Sequence, residues 1–378
     1  MKKSFYTLFL TNEKVDLVKD QGMIAYYLYK LGYDSHFVSF IEPSKEDIFQ
    51  KQVKGLSLHN LGQMSLPQHP QLMMYCRKAF KFIFQNRKNI DILNLYYIKH
   101  SILYGLLYKL FRPKGCLYVK ADMNVKAFRN EAKQWFHFIR HFVYKLYLHY
   151  IVDKITVESS AGYHFLQQEY NLPENKLKYL PNGNDDYFLD KVPSIPHQQK
   201  KNIILTVGRI GVWEKNNEML LEACEQIAWK DDWELHLVGP IDERFKSYVS
   251  KFYQRTHLED RVKFIGPIYD KAELFQYYNN AKIFCLTSHH ESFGFVCIEA
   301  QAFGNYLITT PISTANDFVP NNDIGKVIET AEELAMQINR LISNTQLLAE
   351  AHPKIIQYAQ QFRWSVITKD LDKFLQSK

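Results

Sequence analysis

The chain has 378 residues, 46% of them hydrophobic, five cysteines and a formal net charge of +7. That length is too great for one ordinary domain and fits two of roughly 150–200 residues, each with its own core. The cysteines (Cys76, Cys116, Cys224, Cys285, Cys297) are odd in number, scattered and without a CxxC pair, which argues against a disulfide framework or a zinc site and for a reducing compartment.

The first element predicted is a strand near 4–10. The start MKKSFYTLFLTNEK has two lysines and a short apolar run, but the run is too short for a signal peptide and lacks a small-residue cleavage site. Further strands are expected near 35–41, 91–97, 116–121 and 153–158, separated by long, aromatic-rich helical segments. The stretch PNGNDDYFLDKVPSIPHQQKK has three prolines and an Asn182-Gly183 turn signal, so a boundary is expected at 182–200. Beyond it, strands 202–210, 233–239, 261–266, 282–288 and 306–311 alternate with helices at 215–229, 242–256, 270–280, 294–303 and 331–343. Strand and helix alternating at this spacing means parallel sheets with right-handed crossovers, an α/β doubly wound arrangement. A last helical segment covers about 353–376. No stretch reaches the ~20 apolar residues that span a bilayer, so a cytoplasmic protein is expected.

Charge is uneven. Residues 1–190 hold 26 Lys and Arg against 17 Asp and Glu, residues 191–378 hold 21 against 23, and segment 44–154 alone holds 19 against 6. Within that segment, 99–115 and 128–154 mix cations, aromatics and aliphatics. Such a composition suits a helix lying in a membrane interface, with Lys133, Arg140 and Lys145 facing anionic headgroups. Two buried helices with basic outer faces would read the same way. Nucleic acid is disfavoured, because no recognition motif is present and the second half is acidic. His137 and His141 are four apart on a helix, but with no third ligand nearby a polar helix face is the better reading.

Ligands of open parallel sheets bind at the carboxyl ends of the strands. After the strand at 202–210 comes VGRIGVWEKNN, with Arg209 and Lys215. After the strand at 282–288 comes SHHESFGFVCIEA, with Glu291, Ser292, Phe293 and Gly294 in the loop and Glu299 in the following helix. A planar guanidinium and a point-charge ammonium from one loop can clamp a diphosphate. Gly294 permits close backbone approach, and amides at a helix start can receive an anion. Glu299 suits ribose hydroxyls. Taken singly, the Arg–Lys pair could be a solvated strand end and the two glutamates an ordinary helix surface. GRIG is only half of a dinucleotide fingerprint.

In their order these residues resemble family 4 retaining glycosyltransferases of the GT-B fold. The matching stretches are LPNGND at 180–185, VGRI and EKNNEMLLEA within 207–223, HLVGP at 236–240, and VKFIGPIYDKAELFQYYNNAKIFCLTSHHESFGFVCIEAQAFG at 262–304. The resemblance implies two Rossmann-like doubly wound domains facing a central cleft: an acceptor-binding domain at 1–185, a donor-binding domain at 200–350, and a helix at 351–378 that could cross back. It implies that Arg209 and Lys215 hold the donor diphosphate, and that Glu291 contacts the transferred sugar. Ser292, Phe293 and Gly294 then meet sugar or phosphate, and Glu299 meets the ribose. Asn216 follows Lys215 where glycine is usual, and EAQAFG replaces EAMAxG.

The first half matches less well. Gly22 stands alone where a Gly-rich loop is common, and Lys120 and Asp122 stand where a His-Asp pair is expected. Asp122 could orient or deprotonate the acceptor hydroxyl, or simply cap the helix that follows. No DxD motif stands out, so the diphosphate should be neutralised by Arg209, Lys215 and helix dipoles, without metal or other cofactor. The expected partners are a nucleotide-diphosphate sugar, a lipid-linked glycan acceptor and an anionic membrane surface at the inner face of the cell membrane. The alternatives are a sugar-nucleotide epimerase or hydrolase of this fold, or a non-catalytic partner subunit.

Overall fold

The computed structural model describes residues 3–10, 14–40, 48–62, 76–123, 137–230 and 232–377. The chain divides into two compact units, Met1–Asn182 with Trp364–Lys378, and Gly183–Arg363.

Unit 1 is built on a seven-stranded parallel sheet: β1 (Ser4–Leu8), β2 (Asp34–Ser39), β3 (Ser57–Asn60), β4 (Ile92–Tyr96), β5 (Cys116–Lys120), β6 (Lys154–Val157) and β7 (Leu177–Tyr179), in the order β3-β2-β1-β4-β5-β6-β7. Alternate residues of each strand go to opposite faces. Tyr6, Leu93, Leu117 and Ile155 join one buried cluster, while Phe5, Ile92 and Tyr118 join the other. The second cluster also takes Trp364, Ile367, Leu371 and Phe374 of the last helix, Trp364–Gln376. That spacing of three and four residues is the apolar stripe of an amphipathic helix.

Unit 2 has six parallel strands: β8 (Ile203–Val207), β9 (Glu234–Val238), β10 (Val262–Gly266), β11 (Ile283–Leu286), β12 (Tyr306–Thr309) and β13 (Gly325–Val327), in the order β10-β9-β8-β11-β12-β13. In both sheets the order reverses beside the first strand, which is the doubly wound Rossmann arrangement and places a ligand crevice there. In unit 2 that crevice lies at the carboxyl ends of β8 and β11.

The ten strands expected from the sequence form within a few residues of their expected bounds. β3, β7 and β13 were not anticipated. They have three or four residues each and all three are edge strands, so neither length nor alternation marks them. The single helix expected at 353–376 is two, Thr345–Ala359 and Trp364–Gln376, broken by a 3-10 turn at Gln360–Phe362. Arg363 follows the turn, pairing with Asp186 at 2.7 Å and Asp190 at 2.5 Å. The segment with linker composition packs onto unit 2, because Phe188 and Val192 are buried in its core and Ile195 N donates to Asn279 Oδ1 at 3.0 Å. Its three aspartates have structural partners: Asp185 caps the short helix Asp186–Lys191, and Asp186 and Asp190 anchor Arg363.

Candidate functional site

The loop leaving β8 is shaped by its own polar contacts. Gly239, at the end of β9, lies so close to this loop that a Cβ would stand 1.8 Å from Gly208 O, so no other residue fits there. Asn217 Oδ1 accepts a hydrogen bond from Gly211 N at 2.7 Å and closes the loop over residues 211–217. Lys215 ends a 3-10 turn (Trp213–Lys215), and Asn216 then adopts left-handed angles, φ 44° and ψ 51°. This accounts for the asparagine where the resembling family has glycine, since Asn tolerates that region best after Gly. The helix Asn217–Cys224 starts immediately after it, two residues later than expected and ending earlier.

The loop leaving β11 brings Glu291 to Lys215. The ammonium donates to Glu291 Oε1 at 2.5 Å, and both side chains are largely shielded from solvent. Ser288 Oγ donates to the same oxygen at 2.7 Å. Thr287 Oγ1 donates to Asn216 O at 2.9 Å, and His289 N donates to Glu214 O at 2.9 Å, so the two loops are stitched together. Ser313 and Thr314 hydroxyls donate to the carbonyls of Glu291 and Phe293. Gly294 has φ 91°, a left-handed angle that a side chain would strain, and it delivers the chain into the helix Phe295–Ala302. Phe293 is buried against Phe318, while Ser292 is exposed beside it.

Arg209 is exposed and makes no hydrogen bond or ion pair among the described residues. It lines a small cleft with Gly208, Lys215 and Asn217. The two expected cations and Glu291 are thus brought to the crevice of the second sheet. Glu299 has a separate set of partners: its carboxylate accepts from Tyr278 OH at 3.0 Å and lies 3.3 Å from Lys271 Nζ. Gln301, the departure from the family pattern, is fully buried and donates to Phe318 O at 2.8 Å, a bond that methionine could not make. Sequence reasoning missed Trp213, which is 71% exposed and has its ring 4.9 Å from that of His289. Its only sequence signal was its place in the loop.

In unit 1, Asp122 is half-buried just beyond β5 and accepts a hydrogen bond from Tyr97 OH. Lys120, expected as a contact on the acceptor or membrane side, is completely buried at the end of β5 and bonds Leu180 O at 3.4 Å. It faces inward because it shares a strand face with Tyr118 and is covered by its neighbours. Lys145 is exposed on the helix His137–Leu146 and Arg140 is half-buried. Lys133 lies outside the described residues. His141 stacks on Tyr170, with ring centroids 4.8 Å apart.

Residues 190–362 match the family model described as Glycosyl transferases group 1. The capsular polysaccharide biosynthesis glycosyltransferase CapM of Staphylococcus aureus is 30% identical over 203 residues, covering 52% of this chain and 48% of that protein. D-inositol 3-phosphate glycosyltransferase 2 of Catenulispora acidiphila is 27% identical over 172 residues, covering 43% of this chain and 40% of that protein. The matched stretches thus span less than half the length of these relatives. Among solved structures, Anabaena HepE in complex with UDP superposes with a TM-score of 0.74 at 18% identity, over 99% of this chain and 100% of that one. A sucrose-phosphate synthase from Thermosynechococcus elongatus gives 0.71 at 18% identity, with 98% of both chains covered. At that identity the likeness shows the fold, which is the two-domain, Rossmann-like GT-B type.

Proposed function

We propose that this chain is a retaining glycosyltransferase of the family 4 kind. It moves a sugar from a nucleotide-diphosphate sugar to a lipid-linked glycan acceptor during assembly of a surface polysaccharide such as a capsule or lipopolysaccharide. The observation that carries the reading is the Lys215–Glu291 pair at the crevice of the second sheet, with Arg209 exposed beside it. The match to the transferase family over 190–362 supports it, as does UDP in the structure of HepE.

In this reading Arg209 and Lys215 neutralise the diphosphate as its bond to the anomeric carbon breaks. The acceptor oxygen bonds to that carbon on the face the diphosphate leaves, and its proton passes to a diphosphate oxygen. Glu291 orients the transferred sugar, Ser292, Phe293 and Gly294 border it, and Glu299 meets the ribose. Asp122 accepts a hydrogen bond from the acceptor hydroxyl on unit 1. No metal is required by this arrangement.

The working place proposed is the cytoplasmic face of the membrane, with the protein bound peripherally. No helix among the described residues is long and apolar enough to cross a membrane. Unit 1 instead exposes Phe138, Ile139, Phe142, Val143, Leu146 and Tyr150 at helical spacing, with Phe138 79% and Tyr150 78% exposed. An apolar face of this kind, flanked by Lys145, suits the boundary between headgroups and acyl chains.

The deciding experiment offers UDP-, GDP- and dTDP-sugars with and without a lipid-linked glycan, and follows nucleotide release and the anomer formed. Nucleotide release that depends on the acceptor, with retention at the anomeric carbon, is expected. Acceptor-independent release would make the protein a hydrolase, and isomerised sugar nucleotide an epimerase. No binding of any donor would leave a partner subunit.

A further inference from the structure

The sheet of unit 1 also reverses beside its first strand, between β1 and β4, so its own ligand crevice lies at the carboxyl ends of those two strands. A cleft opens there, lined by Phe9, Leu10, Tyr96, Tyr97, His100 and Tyr104. Leu10, Tyr96 and Tyr104 are buried, whereas Phe9, Tyr97 and His100 keep part of their surface accessible. The Tyr97 ring lies 6.3 Å from that of Phe9 and meets the His100 ring edge-on at 5.6 Å. Its hydroxyl is hydrogen-bonded to the carboxylate of Asp122.

Tyr97 has φ 61° and ψ 125°. The other non-glycine residues with positive φ among those described are Asn171, Asn216 and His257, and their ψ values of 47°, 51° and 36° put them in the left-handed helical region. Tyr97 stands outside that region, where a bulky side chain strains the backbone. The cause is a one-residue passage from sheet to helix. Tyr97 N donates to Lys120 O at 3.0 Å, continuing the β4–β5 ladder, and Tyr97 O accepts from Ser101 N at 3.0 Å, opening the helix Ile98–Phe111. Glycine would make this elbow without strain, so the turn alone does not account for a tyrosine. Core packing does not either, because Tyr97 belongs to neither apolar cluster of unit 1. What the elbow accomplishes is to present a ring and its hydroxyl at the mouth of the crevice, as sharp strand-to-helix turns do for functional side chains in other parallel sheets.

We propose that Tyr97 is an acceptor-recognition residue: held by the elbow, its ring joins Phe9 and His100 as a platform on which one hexopyranose ring of the acceptor stacks. A pyranose offers an apolar face of C–H groups and a rim of hydroxyls. The face loses water against the aromatic rings, and a hydroxyl at the rim donates to the Asp122 carboxylate beside the Tyr97 hydroxyl. That hydroxyl and carboxylate at the edge of the cleft match a sugar better than a bare alkyl chain. This rests on the acceptor role given to Asp122 under the proposed function, and it names the class of ring that unit 1 recognises.

Saturation-transfer NMR on the full chain, with the methyl glycosides of glucose, galactose and N-acetylglucosamine as probes, tests the platform without donor or turnover. In wild type, saturation should pass to the ring C–H protons of at least one probe; none for all three would overturn the proposal. Tyr97→Gly, which keeps the turn and removes the ring, should lose that transfer, and Tyr97→Phe should keep it. Transfer undiminished in Tyr97→Gly, or lost in Tyr97→Phe, would overturn the stacking role. Tyr97→Gly should also melt above Tyr97→Ala, the reverse of the usual order for these two residues, because only glycine relieves the elbow; the usual order would contradict the strain. In transfer assays Tyr97→Gly should raise the acceptor KM on the order of tenfold, the scale of one lost aromatic stack, and leave the donor KM unchanged. An equal rise in both would mark general damage and overturn recognition by Tyr97. Wild type that binds a glycoside through Tyr97 yet releases no nucleotide from any donor would defeat the proposed function and leave the platform standing.

Discussion

Lys215 and Arg209 were both read from the loop after β8, yet their surroundings differ, and so do the expected costs of removing them. Arg209 is exposed without an ion partner among the described residues. Arg209→Ala should leave the melting temperature unchanged while lowering turnover by roughly 10²-fold, the usual scale for a lost charge-stabilising donor. Lys215→Ala should cost at least as much activity, and it also strips Glu291 of its cation, leaving only the Ser288 hydroxyl on Oε1. Steady-state rates within twofold of wild type for both variants would remove the clamp from the mechanism. Under the proposed function these side chains neutralise the donor phosphates, so EDTA should leave most activity in place; complete loss restored by Mg²⁺ would show the site misread. The buried acids of unit 1 give a prediction about stability. Their folded pKa values, about 7 for Asp20 and about 8 for Glu158, lie above those of an unfolded carboxyl. The folded chain therefore binds more protons between pH ~4 and 8, and stability must fall as pH rises through that window. The melting temperature of wild type should drop from pH 5 to 8, and that of Asp20→Asn/Glu158→Gln should drop less. Equal slopes would contradict the burial assigned to both groups. Neither acid was singled out in the sequence, because each sits in an ordinary strand or helix context and only the fold buries it.

At the scale of elements, local chemistry explains where helices begin. Asp270 accepts from Glu273 N at 2.8 Å, and Thr330 accepts from Glu333 N at 3.2 Å, both arrangements legible as caps three residues ahead of Glu. Helix ends were less legible. The helix Lys271–Asn280 is closed by a distant residue, Lys200, which donates to Asn279 O at 2.6 Å and Ala281 O at 2.8 Å. Lys200 is almost fully buried, so Lys200→Met strands Asn279 O without solvent to replace the bond, while Ala281 O keeps the Asn305 amide as its donor. A loss of roughly 1–3 kcal/mol is expected, measured by denaturant unfolding of the full chain; a loss below experimental error would mean that Asn279 O finds another partner. The short edge strands β3, β7 and β13 escaped the sequence for a related reason. Their pairing is set by a neighbouring strand more than by their own three or four residues.

At the scale of the whole molecule, the positive excess of the first half and the exposed apolar helix belong to the same unit. The sequence pointed to Lys133, Arg140 and Lys145 as the membrane contacts. Arg140 is half-buried and Lys145 exposed, and the apolar residues from Phe138 to Tyr150 form the more exposed feature. Each cation near an anionic surface contributes about 1 kcal/mol at best and is screened by salt, whereas buried apolar area is not. Binding to vesicles containing anionic lipid should therefore weaken but persist at high salt, and neutral vesicles should bind less. Phe138→Asp/Phe142→Asp should abolish the salt-resistant part, while Lys145→Glu should reduce only the low-salt part. Cosedimentation that shows no preference for anionic vesicles at low salt would sink the membrane reading and favour a soluble acceptor.

By itself the sequence determined what is local and periodic. β-branched runs at regular spacing dictate parallel strands and crossover helices, and turn-forming loops after them dictate where polar ligands can converge. Arg209, Lys215, Glu291 and Gly294 could be placed in advance in the loops after β8 and β11, because each follows a strand whose end the sequence marks. Tertiary structure decided what depends on neighbours distant in sequence. The second crossing of the chain between units falls after Arg363, where two ion pairs to Asp186 and Asp190 outweigh the continuity of the helical pattern. The left-handed turn at Asn216 and the pairing of Lys215 with Glu291 need two loops brought side by side. The same dependence buries Lys120: its charge suggests the surface, but the strand that carries it ends near the buried carboxyls of Asp20 and Glu158, both of which feel its charge, and only tertiary packing brings them there.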